Sequence, residues 1–447
     1  GPPSSGFSGS TMELPRHGPW REYITWSRIY GCMTYLYAYG RHIVVVNSHQ
    51  TTLDLLERKS ILYADRPRWS MAALAGRQNN LTFMGYTERL RKARAIIQAS
   101  VNPRSHREWG PMLEDETFKA IENIIRDPAP WQDHINWYLA TFINRFTYGT
   151  AMTEERLKLA EELGLQTQQA LRPGYWIVDS IPLLIYLPAW LPGMGFKRWC
   201  KDARVQFNTF TLVPFLGAKE SVKNSNDTEG MIPRRLGQLS GRSLKTEEEA
   251  VFSAACSIHT GLPVWLTTSA LIQSFILLMT VHQEIQEMAH KEIADIVGTT
   301  RLPMLSDLPS LPYLTAVMKE VHRFHPVVAT VSRSPTEHDQ YNEYHIPKHA
   351  WMIFTLWAMA HDGAIYSDPD IFDPGRHLRH VGDPTYIDPR DITFGFGKRA
   401  CPGANLANAQ VALFMSQVIS VFMLLPGKDD SGRVSVPRVA YTPTFVR

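Results

Sequence analysis

The stretch FGFGKRACPGANLANAQVALF, residues 394–414, constrains this chain most. It places Cys401 in a turn bordered by Gly395, Gly397, Pro402 and Gly403, then runs directly into an apolar helical pattern. Glycines let a backbone approach a flat or bulky partner closely, and a proline after the cysteine fixes the direction of the sulfur. A helix starting near Gly403 or Ala404 turns its first amide N–H groups toward Cys401, and Lys398 and Arg399 add positive field, so a permanently deprotonated sulfur is expected. A soft metal or a nucleophilic reaction would use such a group. A cysteine protease also needs a histidine base, and none of the 16 histidines lies in a local context suited to that work. Taken alone, a cysteine beside glycines is equally a small buried hydrophobe.

The other cysteines, Cys32, Cys200 and Cys256, are far apart and form no C-x-x-C pair. This argues against a disulfide framework or a structural zinc site, and for a reducing compartment or a cytosol-facing surface. A length of 447 residues allows two or three domains, but 44% hydrophobic content and no obvious linker fit one large helical fold, so residues 1–447 are expected to form a single domain. The 46 Lys and Arg nearly cancel 43 Asp and Glu, leaving +3, and no nucleic-acid partner is expected. The opening GPPSSGFSGSTMELPRHG has no apolar signal core, so this chain is expected to carry no N-terminal anchor.

Along the chain, MTYLYAYGRHIVVVNS (33–48) predicts a hairpin turning at Tyr39 and Gly40, and HQTTLDLLERKS predicts a helix with Leu53 and Leu56 on one face. Residues 152–298 look mostly helical with two interruptions. GYWIVDSIPLLIYLPAWLPGMGF (174–196) is too proline-broken for a membrane helix, which leaves a buried loop or an interfacial patch on a membrane surface. KNSNDTEGMIPRRLGQLSGRS (223–243) reads as a polar surface connection. LPYLTAVMKEVHRFHP predicts a helix stopped by Pro326, and EYHIPKHAWMIFTLWAMAHD predicts strands around a Pro-Lys turn.

Phe394-x-x-Gly397-x-Arg399-x-Cys401-x-Gly403 resembles the heme-binding loop of the cytochromes P450, the heme-thiolate monooxygenases. Upstream, KEVHRFHP carries Glu320 and Arg323, which resemble the family's E-x-x-R pair, and FDPGRHL carries Arg376, which resembles the arginine completing that cluster. YADRP (63–67), GYTERLRKAR (85–94), QEIQEMAHKEIADIVG (283–298) and AMAHDGAIYSDPDIFDP resemble further segments of the family, in particular of its fungal microsomal members. The resemblance implies a mainly α fold with a small β-sheet. It also implies heme b with Cys401 as axial thiolate, and Phe394, Gly397 and Gly403 shaping its loop. Arg399, Arg94 and Arg333 would hold the propionates, Glu320, Arg323 and Arg376 would scaffold the loop, and Thr267 and Thr268 would handle protons above the heme.

Two places depart from the family. The helix C tryptophan is missing from Leu90-Arg91-Lys92-Ala93-Arg94, which removes one donor to a propionate. In SIHTGLPVWLTTSALIQSF (257–275) Leu266 stands where the family carries an acid, and Pro263 is an unexpected helix breaker. Three explanations stay open: a relay through His259 or Thr260, a peroxide-using, redox-light or inactive protein, or an error in the gene model.

The resemblance places substrate contacts in residues 68–84, 176–190 and 327–331, all rich in apolar side chains, so a lipophilic small molecule such as a terpenoid, fatty or aromatic secondary metabolite is expected. It further implies electrons from NADPH through an NADPH-cytochrome P450 reductase docking near Lys398 and Arg399. A monomer at the cytosolic face of the endoplasmic reticulum membrane, with peripheral membrane contact, completes the expectation.

Overall fold

Met33–Ala38 (β1) and Arg41–Val46 (β2) are rich in the β-branched and aromatic residues that suit a pleated surface, and they pair antiparallel around Gly40 at φ 71°. The structure, a computed structural model, describes residues 1–3, 18–38, 40–171, 175–225, 229–239, 244–260, 264–380, 382–383, 385–429 and 431–441, so Tyr39 of this hairpin lies outside it. Three more segments of the chain's second half form strands near this hairpin or beside it: Thr330–Arg333 (β3), the small hairpin Asp339–Tyr341 (β4) with Tyr344–Ile346 (β5), and Trp351–Thr355 (β6). The main sheet runs β1-β2-β6-β3, with β2 and β6 parallel (Val45 opposite Ile353) and β3 antiparallel to β6 (Arg333 opposite Met352). After Thr355 the chain turns helical over Leu356–Ala360 instead of continuing the expected strand.

Helix α1 (Pro19–Tyr30) lays Tyr23 and Trp26 on Leu36, Ile43 and Val45 of the sheet. The helical part consists mainly of α2 (Glu88–Val101), α3 (His106–Arg126), α4 (Trp131–Tyr148), α5 (Glu154–Ala170), α6 (Gly195–Ser225), α7 (Leu244–Thr260), α8 (Val264–Val281), α9 (Gln283–Ile296), α10 (Pro312–Phe324) and α11 (Ala404–Val421). Thr87 and Thr153 cap α2 and α5 with their hydroxyls, as residues before an acidic first turn do. α8 is apolar on every side, which suits a helix enclosed by others, and it packs against α4, α9, α10 and α11. One contiguous apolar core extends from Leu81 to Ile419. α10 stops before His325 and Pro326, as the proline requires.

Three expectations change. The helix from His49 widens at Asp54–Arg58 into a π-helical turn, which buries Leu55 and Leu56 together while Leu53 is only half-buried. The polar connection at 223–243 contains a helix, Met231–Gly237, whose Met231, Ile232 and Pro233 are buried, so it is not wholly surface. Residues 175–196 form two short helical turns, Ile177–Ser180 and Pro182–Tyr186, and expose Leu183 (73%), Tyr186 (84%) and Trp190 (80%), so this segment is not a buried loop, although Val178 and Phe196 are buried. Gly174 and Pro263 lie outside the described residues, as does the 261–263 junction between α7 and α8.

Candidate functional site

The loop ahead of α11 is tightened by its own backbone: the Cys401 N–H donates to the Phe394 carbonyl at 2.7 Å, and the Ala400 N–H to the Gly397 carbonyl at 3.0 Å. Gly397 has φ 61°, and a Cβ there would lie 2.0 Å from the Leu56 carbonyl oxygen. Its N–H donates to Glu57 Oε1 at 2.6 Å. Gly397 thus docks the loop on the π-helical turn and does not line the cavity beside Cys401, contrary to its expected part in contacting a cofactor. Phe394, Gly395 and Gly403 do line that cavity.

The cavity measures about 860 Å³. Cys401 lies deep in the protein yet keeps accessible surface, because it opens onto this space. Burial pushes its thiol up, against the lowering by the Gly403 N–H and Arg94. The helix start and nearby cations therefore do not deprotonate the sulfur by themselves, which corrects the expectation of a permanent thiolate; coordination of a metal ion would. Among the described residues no group of three or more His, Cys, Asp or Glu could hold a bare metal ion, so an ion at Cys401 needs its other ligands from a cofactor.

Four arginines converge on one side of the cavity. Arg399 donates to the carbonyls of Ala64 (2.6 Å), Leu81 (3.0 Å) and Met84 (2.7 Å), Arg94 to that of Ala400 (2.7 Å), and both Arg333 (2.9 Å) and Arg66 (2.6 Å) to that of Ser332. Burial and then the neighbouring cations push Arg399 down to about 9, and burial followed by Arg94 pushes Arg66 down to about 10. Burial first, then Arg66, Arg399 and Arg94, drives Arg333 well below its ordinary value. Among the described residues, the carboxylate that acts on Arg66 and Arg399 is Asp65, and Arg66 Nε is buried without a hydrogen-bond partner. A desolvated cluster with this surplus of positive charge calls for a dianion. The two propionates of heme b, beside a sulfur ligand, fit it. Arg66 was not among the sequence-predicted residues; the signal available was its place in YADRP, beside the chain's return toward α2.

Below the loop, Glu320 gathers cations. Arg323 donates to both of its carboxylate oxygens (2.9 and 2.8 Å), Arg376 to Oε1 (3.2 Å), and His377 Nε2 lies 2.7 Å from Oε2. Burial alone would raise the Glu320 carboxyl, but the His377 and Arg323 hydrogen bonds and charges pull it down to about 2. The arginines also satisfy the carbonyls of Ala360, Ser367, Asp368, Pro369 and Ile371, so this cluster shapes the irregular segment leading to the cysteine loop. None of Glu320, Arg323 and Arg376 lines the cavity, in keeping with a scaffolding place. His377 is a member that sequence reading missed.

Thr267, Thr268 and Leu271 of α8 also line the cavity, with Leu81 and Phe83 and residues 327–333. Leu266 does not line it and packs against the apolar core. His259, one of the alternative relays, is 2% exposed, stacks on Phe210 at 4.2 Å, and lies outside the cavity lining, so it has no access to a ligand beside Cys401. The Thr260 side chain lies outside the described residues. Residues 68–84 and 327–331 contribute to the wall as expected, but 176–190 do not; only the adjacent Tyr175 does, because that segment faces outward. At the missing helix C tryptophan, Leu90 is fully buried in the core. Lys398 is exposed while Arg399 is buried, which removes Arg399 from any docking face.

A sequence model of the family described as Cytochrome P450 matches residues 264–443. The chain is 32% identical to cytochrome P450 monooxygenase 105 of Postia placenta, over 98% of this chain and 84% of that protein. It is 33% identical to cytochrome P450 monooxygenase ppsD of Aspergillus oryzae, with the same coverage of each. Its fold is similar to that of a zebrafish cytochrome P450 solved with progesterone, at TM-score 0.73 and 20% identity, over 90% of this chain and 91% of that one. The same holds for a structure with abiraterone, at TM-score 0.71 and 21% identity, with the same coverage.

Proposed function

Since this chain belongs to the cytochrome P450 family of monooxygenases, we propose that it inserts one oxygen atom of O2 into a lipophilic small molecule, with electrons from NADPH delivered by a partner reductase. The observation that carries this reading is the Cys401 sulfur opening into an apolar-walled cavity beside four arginines, of which Arg333 and Arg399 are buried and Arg66 and Arg94 half-buried. Bound heme supplies O2 activation and oxygen-atom transfer there. The chain's own residues do the rest. Cys401 provides the sulfur ligand, and Arg66, Arg94, Arg333 and Arg399 hold the two propionates by charge and donated hydrogen bonds. Leu81, Phe83, Leu271 and Val327 exclude water and bind an apolar skeleton, for which a terpenoid-like substrate suits a cavity of about 860 Å³. Thr267 and Thr268 place hydroxyls on the distal wall, where protons must enter.

The exposed Leu183, Tyr186 and Trp190 support a second element of the proposal, a peripheral seat for a monomer on the cytosolic face of the endoplasmic reticulum membrane. Among the described residues no single helix is long and apolar enough to cross a membrane. Flotation with liposomes tests the seat: replacing Leu183, Tyr186 and Trp190 by serine should release the protein, and unchanged flotation refutes it.

The enzyme reading is tested by the reduced, carbon monoxide-bound Soret band of the heme-loaded protein together with NADPH and O2 consumption beside a fungal reductase. A thiolate-type band that Cys401→Ala abolishes and Cys32→Ala retains is expected; a histidine-type band in folded protein overturns the ligand assignment. One observation favours a second reading, a heme-thiolate protein of impaired oxygenation: among the described residues lining the cavity there is no Asp or Glu. Consumption of NADPH without oxidised product would select it.

A further inference from the structure

Behind the wall formed by α7 and α8 lies a second cavity, of about 10 Å³, lined by residues that include Arg77, Thr167, Phe207, His259 and Trp265. Arg77, His259 and Trp265 are 2%, 2% and 3% exposed. Each brings one polar atom with no protein partner: Arg77 Nη2, His259 Nδ1 and Trp265 Nε1. Orphaned buried groups of this kind cost free energy unless something answers them. Arg77 is the most demanding, since its contacts include Thr167 Oγ1 (3.3 Å), the Ala75 carbonyl (3.2 Å) and the Phe207 ring (4.2 Å), and among the described residues no carboxylate lines the cavity.

The roles of the three atoms follow from the neighbouring amide. Asn144 Nδ2 donates to the carbonyls of Thr150 (2.6 Å) and Ala151 (3.1 Å), which fixes its Oδ1 as an acceptor. Oδ1 accepts from Arg156 Nη2 at 3.3 Å and lies 3.2 Å from His259 Nε2. Arg156 Nη2 also lies 3.5 Å from Nε2, at the limit of a hydrogen bond and farther than from Oδ1, so the shorter Nε2–Oδ1 contact assigns the hydrogen to Nε2. Burial, and then Arg156, hold the imidazole neutral, so Nδ1 presents a lone pair. The residues lining the cavity thus bring two unpartnered N–H donors and one unpartnered acceptor.

We propose that this cavity binds one structural water molecule, which accepts from Arg77 and Trp265 and donates to His259. The volume matches the roughly 10–15 Å³ that one water needs, and three hydrogen bonds is the usual number for a buried water. An anion would answer the two donors but would face the Nδ1 lone pair. The site also has a place in the architecture. Arg77 precedes the cavity-lining Asn80 and Leu81, Thr167 precedes Gln168 and Gln169, His259 follows Ser257 and Ile258, and Trp265 precedes Thr267 and Thr268. The water therefore joins, from behind, four segments that wall the large cavity, including both sides of the α7–α8 junction. This inference stands apart from any reading of the activity.

The test is a high-resolution crystal structure of the heme-loaded enzyme with bromide as the only halide. One density peak is expected at about 2.7–3.2 Å from all three atoms, with no anomalous bromine signal. In Arg77→Met the peak should be lost while the fold persists. A bromine peak at the site would make it an anion site, and an ordered cavity with no density would leave the three atoms unanswered; either overturns the proposal. As a second measure, the Trp265 indole N–H of 15N-labelled holoenzyme should show transfer of magnetisation from a long-lived water, and a dry indole refutes the assignment.

Discussion

Arg66 and Arg333 donate to one and the same acceptor, the Ser332 carbonyl, at 2.6 and 2.9 Å. Two like charges sharing a neutral oxygen is an arrangement that favours a bound dianion over the free cluster: after burial, Arg66 lowers the proton affinity of Arg333, and Arg94 that of Arg66. Arg66→Met should therefore leave the thermal stability of the heme-free protein unchanged or raised, and at the same time speed heme loss about tenfold, the effect of about 1.4 kcal/mol from one lost charge-assisted contact. Transfer of heme to apomyoglobin measures the rate. Unchanged heme loss would show that Arg66 serves only the Ser332 carbonyl.

Glu320 balances the charges of Arg323 and Arg376 at full burial and lies 2.7 Å from His377 Nε2. Glu320→Gln keeps the shape and removes the charge, leaving buried cations uncompensated, a change of about 3–5 kcal/mol. Little soluble heme-loaded protein should result, and the variant that does fold should unfold at markedly lower urea. A urea midpoint equal to the parent's would show that the backbone carbonyls around Arg323 and Arg376 suffice.

The pairing of Glu320 with Arg323 was legible because an i, i+3 spacing on one helix determines neighbourhood locally, and the loop of Cys401 was legible because its glycines and proline are set by backbone geometry. Arg66 and His377 were not, since their partners come from strands and helices far along the chain. The resemblance placed residues 176–190 on the cavity wall, where they do not lie: apolar side chains are equally suited to a cavity wall and to an outer face, and only the folded chain decides between them. Gly397 shows a third limit. Its φ of 61° could be suspected from sequence, but the partner it makes room for, the Leu56 carbonyl, could not.

Acid should unfold the protein in a defined window. Burial lowers His322 to about 4 from an ordinary 6.5 and holds His259 well below 6.5, so both are neutral when folded and protonate more readily when unfolded. Their contribution is present above 6.5 and lost as pH falls toward 4. Glu320, depressed to about 2 from 4.5, adds stability above 4.5 that is lost as pH falls toward 2. The signs agree, so unfolding free energies from urea titrations between pH 7 and 4 should fall by roughly 1.4 kcal/mol per pH unit for each fully titrating histidine. A flat profile between 6.5 and 4.5 would mean that these histidines are charged in the folded state.

Leu266 offers the sharpest test of how protons reach the cavity. Leu266 stands where the family carries an acid, yet it packs against the apolar core and is absent from the cavity wall, where Thr267 and Thr268 stand. A carboxylate at 266 would be desolvated among apolar neighbours, so the substitution should cost roughly 2 kcal/mol or more of stability and leave product formed per NADPH unchanged. With no Asp or Glu among the described lining residues, the parent should release much of its reducing power as peroxide. Thr268→Ala should lower the remaining coupling further, because it removes a hydroxyl from the distal wall. Product and peroxide per NADPH in the parent, Leu266→Asp and Thr268→Ala decide the matter: a gain in coupling from Leu266→Asp would mean that the residue turns toward the cavity when substrate is bound, and tight coupling in the parent would mean that the threonine hydroxyls with solvent suffice as the proton path.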